Sequence, residues 1–232
     1  MHAMLLAAGL GERMRPLTEQ IPKPLISIAG VPMIDRMLDH LKEGGVEYVV
    51  VNTHHLAEQV AAHLRPRRTP SISIVHEKEL LDTGGGVAEA LPLLGGSPFL
   101  VSNSDIIMLN GVQPFVQRLM ETWRPYMSAL LLIHPTVHAP YYSGLGDFIL
   151  GSDGKMRRRV EREIAPYLFT GVQILHKRLF DRCPAPPFSL NVLYDRAETA
   201  GRLYGVVHDG EWMHVGTVDA ITRIEGRLKL LI

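Results

Sequence analysis

The sequence predicts an α/β fold: a mostly parallel sheet with helices on both faces. Three observations lead there. Short runs rich in Val, Ile and Leu alternate with helical patterns through the first half of the chain. The helical stretches repeat their apolar residues every three or four positions. Glycine-rich or polar segments follow two of the strand-like runs, at the strand ends where such sheets bind ligands.

Taken in order, His2 to Ala8 is short and apolar and reads as a buried strand that breaks at Gly9. From Met33 to Glu43 the residues Met33, Ile34, Met37, Leu38 and Leu41 fall on one helical face, and Gly44-Gly45 ends the helix. Glu47 to Asn52 is β-branched and strand-like, Leu56 to Leu64 helical, Ser71 to Val75 a strand. A glycine-rich turn precedes a short helix from Gly86 to Leu94. Pro98 to Val101 is a strand that ends in polar Ser102-Asn103-Ser104-Asp105, followed by a helix from Pro114 to Trp123 and a strand from Ser128 to Ile133. In the second half, Gly146 to Leu150 and Met156 to Val160 read as a hairpin. Leu168 to Leu175, Arg202 to Val207 and Trp212 to Val215 read as strands, with helices from Ser189 to Ala200 and from Thr217 to Leu230. The order of the strands cannot be read from the pattern.

The 232 residues suffice for one large α/β domain spanning 1–232. Lys plus Arg and Asp plus Glu both number 24, so no broad basic surface points to a nucleic-acid partner. No apolar run reaches the roughly 18 residues of a membrane span. One cysteine, Cys183, excludes an intramolecular disulfide, which fits a cytoplasmic protein. Oligomeric state has no signature here.

The chemistry is concentrated between Leu6 and Leu25, LAAGLGERMRPLTEQIPKPL. Gly9 and Gly11 let the backbone approach phosphate oxygens with its N–H groups. Arg13, Arg15 and Lys23 add positive charge, and Pro22 and Pro24 restrict where Lys23 points. A dinucleotide loop would need glycine where Met14 stands, and the Gly-Lys-Ser/Thr of a Walker A loop is absent. For glycines and arginines alone, a plain strand turn with solvated arginines fits about as well. Asp82-Thr83-Gly84-Gly85-Gly86 reads as a turn with free N–H groups at a helix start. Asp105 is a hard carboxylate at a strand end, suited to Mg²⁺ or, more commonly for an isolated Asp, to capping a helix.

The whole Leu6–Leu25 segment resembles the signature of the sugar nucleotidyltransferase family, L-A-A-G-x-G-x-R-(M/L)-x-P-L-T followed by P-K-P-L. The resemblance extends over nearly the whole chain and implies a Rossmann-like mixed sheet of the glycosyltransferase-A type. The resemblance leads to the expectation of a single domain, without the C-terminal β-helix domain of some bifunctional relatives. It implies that Ala8, Gly9, Gly11, Glu12, Arg13, Thr83, Gly84, Gly85 and Asn103 bind the nucleotide. Arg15 and Lys23 would contact its reacting phosphates, and Asp105 would hold Mg²⁺. The DTGGG segment and Gly146-Asp147-Phe148 are similar to segments of the N-acetylmuramate 1-phosphate uridylyltransferases. There Gly146 and Asp147, with Thr170 of Phe169-Thr170-Gly171, would face the sugar.

The chain departs from the family at Trp212-Met213-His214-Val215-Gly216-Thr217, where W-x-D-(V/I/T)-G-T is common. His214 stands in place of the second metal-binding Asp, and a nitrogen ligand suits Mn²⁺ better than Mg²⁺. The implied reaction joins an NTP and a sugar 1-phosphate and releases pyrophosphate. The resemblance favours UTP with N-acetylmuramate 1-phosphate, as in cell-wall sugar recycling. A mannose-1-phosphate guanylyltransferase, a glucose-1-phosphate uridylyl- or thymidylyltransferase, and a catalytically silent nucleotide-sugar sensor stay open. The basic run Arg157-Arg158-Arg159 with Arg162 reads first as a solvated surface and second as a source of charge for the sugar phosphate, and His54-His55 takes no role.

Overall fold

Strand β1 (His2–Leu6) lies at the centre of the fold, with Ala3, Met4 and Leu5 fully buried. Its alternating side chains serve two separate cores, as the two-residue period of a strand requires. Ala3 and Leu5 join one apolar cluster and Met4 joins another. The computed structural model describes residues 1–231.

The other strands are β2 (Ser27–Ile28), β3 (Val31–Pro32), β4 (Tyr48–Thr53), β5 (Ser71–His76), β6 (Phe99–Asn103), β7 (Ile106–Met108), β8 (Ala129–Pro135), β9 (Phe148–Leu150), β10 (Met156–Arg158), β11 (Tyr167–Leu175), β12 (Leu203–Val207) and β13 (Trp212–His214). The α-helices are α1 (Leu17–Gln20), α2 (Met33–Glu43), α3 (Ala57–Leu64), α4 (Asp82–Ala90), α5 (Phe115–Thr122), α6 (Leu190–Thr199) and α7 (Val218–Leu231).

Along the main sheet the strand order is β10-β9-β11-β6-β1-β4-β5, with β8 joining β11 to β12. The strands β5, β4, β1 and β6 run parallel, while β11 pairs antiparallel with β6, β8 and β9. The chain leaves β1 toward β4 and β5, then returns to place β6 on the opposite side of β1. That reversal is the topological switch point beside which open α/β sheets bind ligands. Helices α2, α3 and α5 cover one face of the sheet, and α4 and α6 cover the other.

A third apolar cluster lies off the sheet. Met14, Ile26, Ile28, Met33, Ile107, Met213, Val215, Ile224 and Leu228 pack together. It fastens the long loop after β1, the β7–β13 ribbon and α7 to one another, so residues far apart in sequence are held around one cleft. Ser189 caps α6 by accepting a hydrogen bond from the Asn191 N–H, and Gly201, at φ +64, ends the turn after the helix.

Strands β2, β3 and β7 have no counterpart in the sequence pattern, and one helix starts earlier than expected. The helix expected from Gly86 starts at Asp82, so Gly84, Gly85 and Gly86 are buried inside its first turns. A Cβ on Gly84 would lie 2.4 Å from the Phe188 ring, and one on Gly86 2.7 Å from the Glu77 carboxylate. Close packing of α4 requires these glycines, at the cost of their poor helix propensity.

His208, 1% exposed, packs edge-on against Phe115 and beside His134. Its Nε2 donates to the Glu211 carbonyl at 3.2 Å, and its Nδ1 has no partner. Burial pushes its pKa down to about 4; the nearby His134 and Arg118 act in the same direction, against Asp209. An unfolded histidine takes up its proton near pH 6.5. Between about 6.5 and 4 the unfolded chain therefore holds more protons, and stability falls as pH falls. The full loss is about 3 kcal/mol, complete below about pH 4. Urea unfolding of wild type and His208→Gln across that range checks this: the variant should lose distinctly less stability on acidification, and parallel curves would show that His208 is not responsible.

Candidate active site

A pocket of about 260 Å³ opens at the carboxyl ends of β1, β4 and β6. Ala7, Ala8 and Gly9 line its floor, Asn52 and Glu77 its inner wall, and Thr83, Asn103 and Asp105 its sides. It continues into a second cleft lined by Gly9, Gly11, Glu12, Arg13, Lys23 and Asp105. Lys23 and Asp105 thus stand at the junction of the two.

The loop after β1 is built to expose backbone without collapsing. Gly11 sits at φ +65, and an added Cβ would strike Thr18 at 2.8 Å. Thr18 donates from Oγ1 to the Gly11 carbonyl at 3.0 Å, and His55 Nε2 donates to the Thr18 carbonyl at 2.6 Å. Gly9 by contrast is exposed, and a Cβ there would meet nothing within 4 Å. Its missing side chain leaves space for a ligand rather than for the protein. A single turn over Glu12–Met14 directs Met14 into the third apolar cluster and leaves Arg13 facing the cleft.

Lys23 follows Pro22 and precedes Pro24 in another short turn, and its residue is 8% exposed. Its Nζ donates to Asp105 Oδ2 at 2.5 Å. Asp105 is delivered by β6 and fixed by Ser104, whose N–H and Oγ both donate to the Leu6 carbonyl, at 3.2 and 2.6 Å. Burial pushes the Asp105 carboxyl up, but the Lys23 ammonium, the neighbouring His214 and the Lys23 hydrogen bond outweigh it. The carboxyl is held below the usual aspartate range and is ionised at neutral pH.

His214 comes from β13, which pairs antiparallel with β7 so that His214 faces Ile106, the residue after Asp105. Its ring stacks on Trp212, with centroids 6.3 Å apart and planes at 10°. Burial lowers its pKa, Asp105 opposes this, and Lys23 and Arg13 reinforce it. Arg13 Nη2 lies 3.4 Å from Nε2, so the guanidinium donates to the imidazole lone pair. Among the described residues no group of three or more His, Cys, Asp or Glu side chains is placed to hold a metal.

Several expected site residues stand elsewhere. Arg15 is exposed, lies 3.8 Å from Glu12 and lines neither cleft, because the turn that aims Arg13 inward carries Arg15 outward. The Gly84 and Gly85 N–H groups are not free for a base: both donate to the Phe188 carbonyl, at 2.9 and 3.1 Å. Thr170 is 1% exposed and its hydroxyl donates to the Leu132 carbonyl, so that side chain cannot face a sugar. Asp147 lies in a separate pocket with Arg159 and Phe169, and accepts from the Phe169 N–H at 2.8 Å. Gly146, at φ +74, donates its N–H to Tyr142 Oη at 3.0 Å. Asn103 does reach the pocket, and it packs over Gly171, where a Cβ would lie 2.9 Å from its amide.

Sequence reasoning missed Asn52 and Glu77. Asn52 Oδ1 accepts from the Ala7 N–H at 2.8 Å, and its Nδ2 donates to Glu77 Oε1 at 2.6 Å. Glu77 Oε2 accepts from the Leu81 N–H at 3.1 Å. Both residues sit at the carboxyl ends of β4 and β5, so the rule that flagged Gly9 and Asp105 also covers them. His54 and His55, given no role, brace the rim through the Glu77 and Thr18 carbonyls.

The nucleotidyl transferase family model matches residues 2–229. The chain belongs to the nucleotidyl transferase family. It is 42% identical to the N-acetylmuramate alpha-1-phosphate uridylyltransferase of Caulobacter vibrioides, over 97% of this chain and 96% of that one. The enzyme of the same name from Neisseria meningitidis serogroup B is 37% identical over 94% of each chain. A crystal structure of a putative glucose-1-phosphate thymidylyltransferase from Bacillus anthracis, in complex with a sucrose, shares the fold at a TM-score of 0.81 and 16% identity, covering 98% of this chain and 95% of that one. The protein is an enzyme of the nucleotidyltransferase type.

Two glycines separate ligand contact from packing. Gly9→Ala should leave the melting temperature nearly unchanged and weaken NTP binding about tenfold or more, because the new methyl enters only the ligand's space. Gly86→Ala should lower both, because its methyl breaks the Asn52–Glu77 pair. Calorimetric binding and thermal melts of both variants test the contrast; normal NTP affinity in Gly9→Ala would remove the loop from the binding site.

Proposed function

We propose that the chain transfers UMP from UTP to N-acetylmuramate 1-phosphate and releases pyrophosphate, in the recycling of cell-wall sugar in the cytoplasm. The Lys23–Asp105 pair at the junction of the two clefts carries the reading, supported by the two relatives named for this reaction. Uracil and ribose would occupy the pocket of Ala8, Thr83 and Asn103, and the phosphates the cleft of Gly9, Gly11 and Arg13.

The sugar 1-phosphate oxygen attacks the α-phosphorus in line and the bond to the β-phosphate bridging oxygen breaks. A phosphate dianion is already a nucleophile, so no general base is needed. The work left to the protein is positioning and neutralisation of charge. Lys23 and Arg13 supply positive charge, and the Gly9–Gly11 backbone supplies donors.

Asp105 fits a divalent cation of the hard type. Mg²⁺ is commonly held by one or two carboxylates together with substrate phosphates and water, and Asp105 is the carboxylate at the junction of the clefts. We assign Mg²⁺ to Asp105; His214 Nε2, which accepts from Arg13 in the free protein, would become a nitrogen donor beside it, better suited to Mn²⁺, only once Arg13 turns to the phosphates. Bound there, the cation would neutralise phosphate charge.

The test is pyrophosphate release from four NTPs against a panel of sugar 1-phosphates. UTP with N-acetylmuramate 1-phosphate should give the highest kcat/KM, and release should need both substrates and a divalent cation. A different best pair replaces the substrate assignment; nucleotide binding without turnover of any pair removes the enzymatic one.

Lys23→Ala and Arg13→Ala should each lower kcat/KM by two or more orders of magnitude, corresponding to about 3–4 kcal/mol of lost charge stabilisation. Arg15→Ala should stay within about threefold of wild type. Steady-state kinetics on the folded variants decides, and an Arg15 effect as large as that of Lys23 would place its guanidinium back on the phosphates.

A further inference from the structure

A third pocket, of about 360 Å³, lies between the loop before β9 and the first turns of α7. It shares Arg13 and Gly216 with the phosphate cleft and no residue with the base pocket. The three therefore run in series: base, phosphates, then this pocket. On its loop side Tyr142 accepts the Gly146 N–H, which ties the pocket to the segment that the family resemblance places beside the sugar.

Its charge is distinctive. Arg13 and Arg223 line it, with no Asp or Glu. Neither arginine takes part in any ion pair found among the described residues. The pocket around Asp147 differs: Asp147 and Glu161 line it, and its Arg158 is paired with Asp195 at 2.6 Å. Arg13 and Arg223 are thus the arginines of this pocket, and no carboxylate lines it.

Its walls suit a sugar. Tyr141, Tyr142 and Trp212 contribute aromatic surface. Tyr141 is held at φ +64, a left-handed conformation unfavourable for a bulky residue. Its ring lies 5.9 Å from the Arg223 guanidinium carbon, and its hydroxyl donates to the Arg223 carbonyl at 3.4 Å. Backbone strain of this kind persists where the surroundings enforce it and gathers at ligand clamps. Here it places an aromatic face against the guanidinium and limits where that group swings.

N-acetylmuramate differs from N-acetylglucosamine by a lactyl ether on the 3-oxygen, which carries a carboxylate. We propose that Arg223, braced by Tyr141, binds that carboxylate and is the residue that selects the acidic sugar. The assignment rests on N-acetylmuramate 1-phosphate being the substrate. Arg13 faces the phosphates and His214, so Arg223 is left with an open guanidinium fork, the geometry that receives a carboxylate through two hydrogen bonds.

The experiment compares kcat/KM for N-acetylmuramate 1-phosphate and N-acetylglucosamine 1-phosphate, with UTP, in wild type, Arg223→Ala and Arg223→Lys. Thermal melts establish that the variants are folded. The ratio of the two values should fall at least tenfold in Arg223→Ala, mainly through KM for the acidic sugar, and recover in part in Arg223→Lys. An unchanged ratio, whether both activities fall together or neither does, overturns the assignment. An unchanged ratio with a raised KM for pyrophosphate in the reverse reaction gives the pocket to the leaving group instead. Wild type that ignores the acidic sugar but turns over another sugar 1-phosphate overturns the substrate reading itself, an outcome visible before any variant is made.

Discussion

The contact between the Lys23 ammonium and the Asp105 carboxylate, at 2.5 Å, joins the two halves of the cleft. Lys23 belongs to the long loop after β1, and Asp105 follows β6, on the far side of the switch point. In the free protein each charge answers the other. This keeps Asp105 ionised despite its burial and spares Lys23 an unpaired position behind two prolines. Charge-assisted pairs of this kind are strong but poorly replaceable, because removing one partner strands the other. The same pair lines both clefts, so on the proposed function it is also where an anionic ligand meets the protein. On the proposed function a polyphosphate would compete for Lys23 and free Asp105 for a cation, and this exchange of partners would couple nucleotide entry to exposure of the carboxylate.

That exchange needs walls that do not move with it, and the structure supplies them by layers. Ser104 anchors Asp105 to β1 through two donations to one carbonyl. Thr18 and His55 hold the glycine loop from behind. The Asn52–Glu77 pair supports the floor at Ala7. Beneath all three, the cluster around Met14, Met213 and Ile224 fixes the loop to α7 and the β7–β13 ribbon. Removing one partner of such a buried brace costs about 1–3 kcal/mol, because it leaves the other unpaired. Positional errors of an ångström at a phosphate cost far more in rate.

The sequence was most legible where local chemistry and global position agree. The helix Met33–Glu43 is bounded as its apolar spacing and Gly44 require. The strand ends at Gly9 and Asp105 fall in the cleft because any switch point of a parallel sheet brings such ends together. Legibility failed where the answer depends on direction rather than order. Arg13 and Arg15 are two residues apart and chemically alike, and only the turn at Glu12–Met14 decides which faces in. The glycines of DTGGG look like a ligand loop, but Phe188, a hundred residues away, takes their N–H groups. Thr170 follows the expected segment and is turned into the core by a bulge at Gly171 that no spacing reveals.

His214 changes the charge balance of the cleft more than it changes its shape. Where the family pattern has aspartate, a carboxylate would answer one of the cations nearby. Here the imidazole is kept neutral by burial and by the two cations beside it. The site is therefore one unit more positive than its aspartate-bearing counterpart, with Lys23 matched by Asp105 and Arg13, among the described residues, by no carboxylate. Any sugar 1-phosphate brings a dianion that answers Arg13, and Arg223, in no ion pair among the described residues, extends the same field into the adjoining pocket. In a narrow cleft such an excess focuses the potential seen by an approaching anion and raises its rate of capture. The absent aspartate and Arg223 thus act in the same direction, each raising the positive field that meets an anionic substrate.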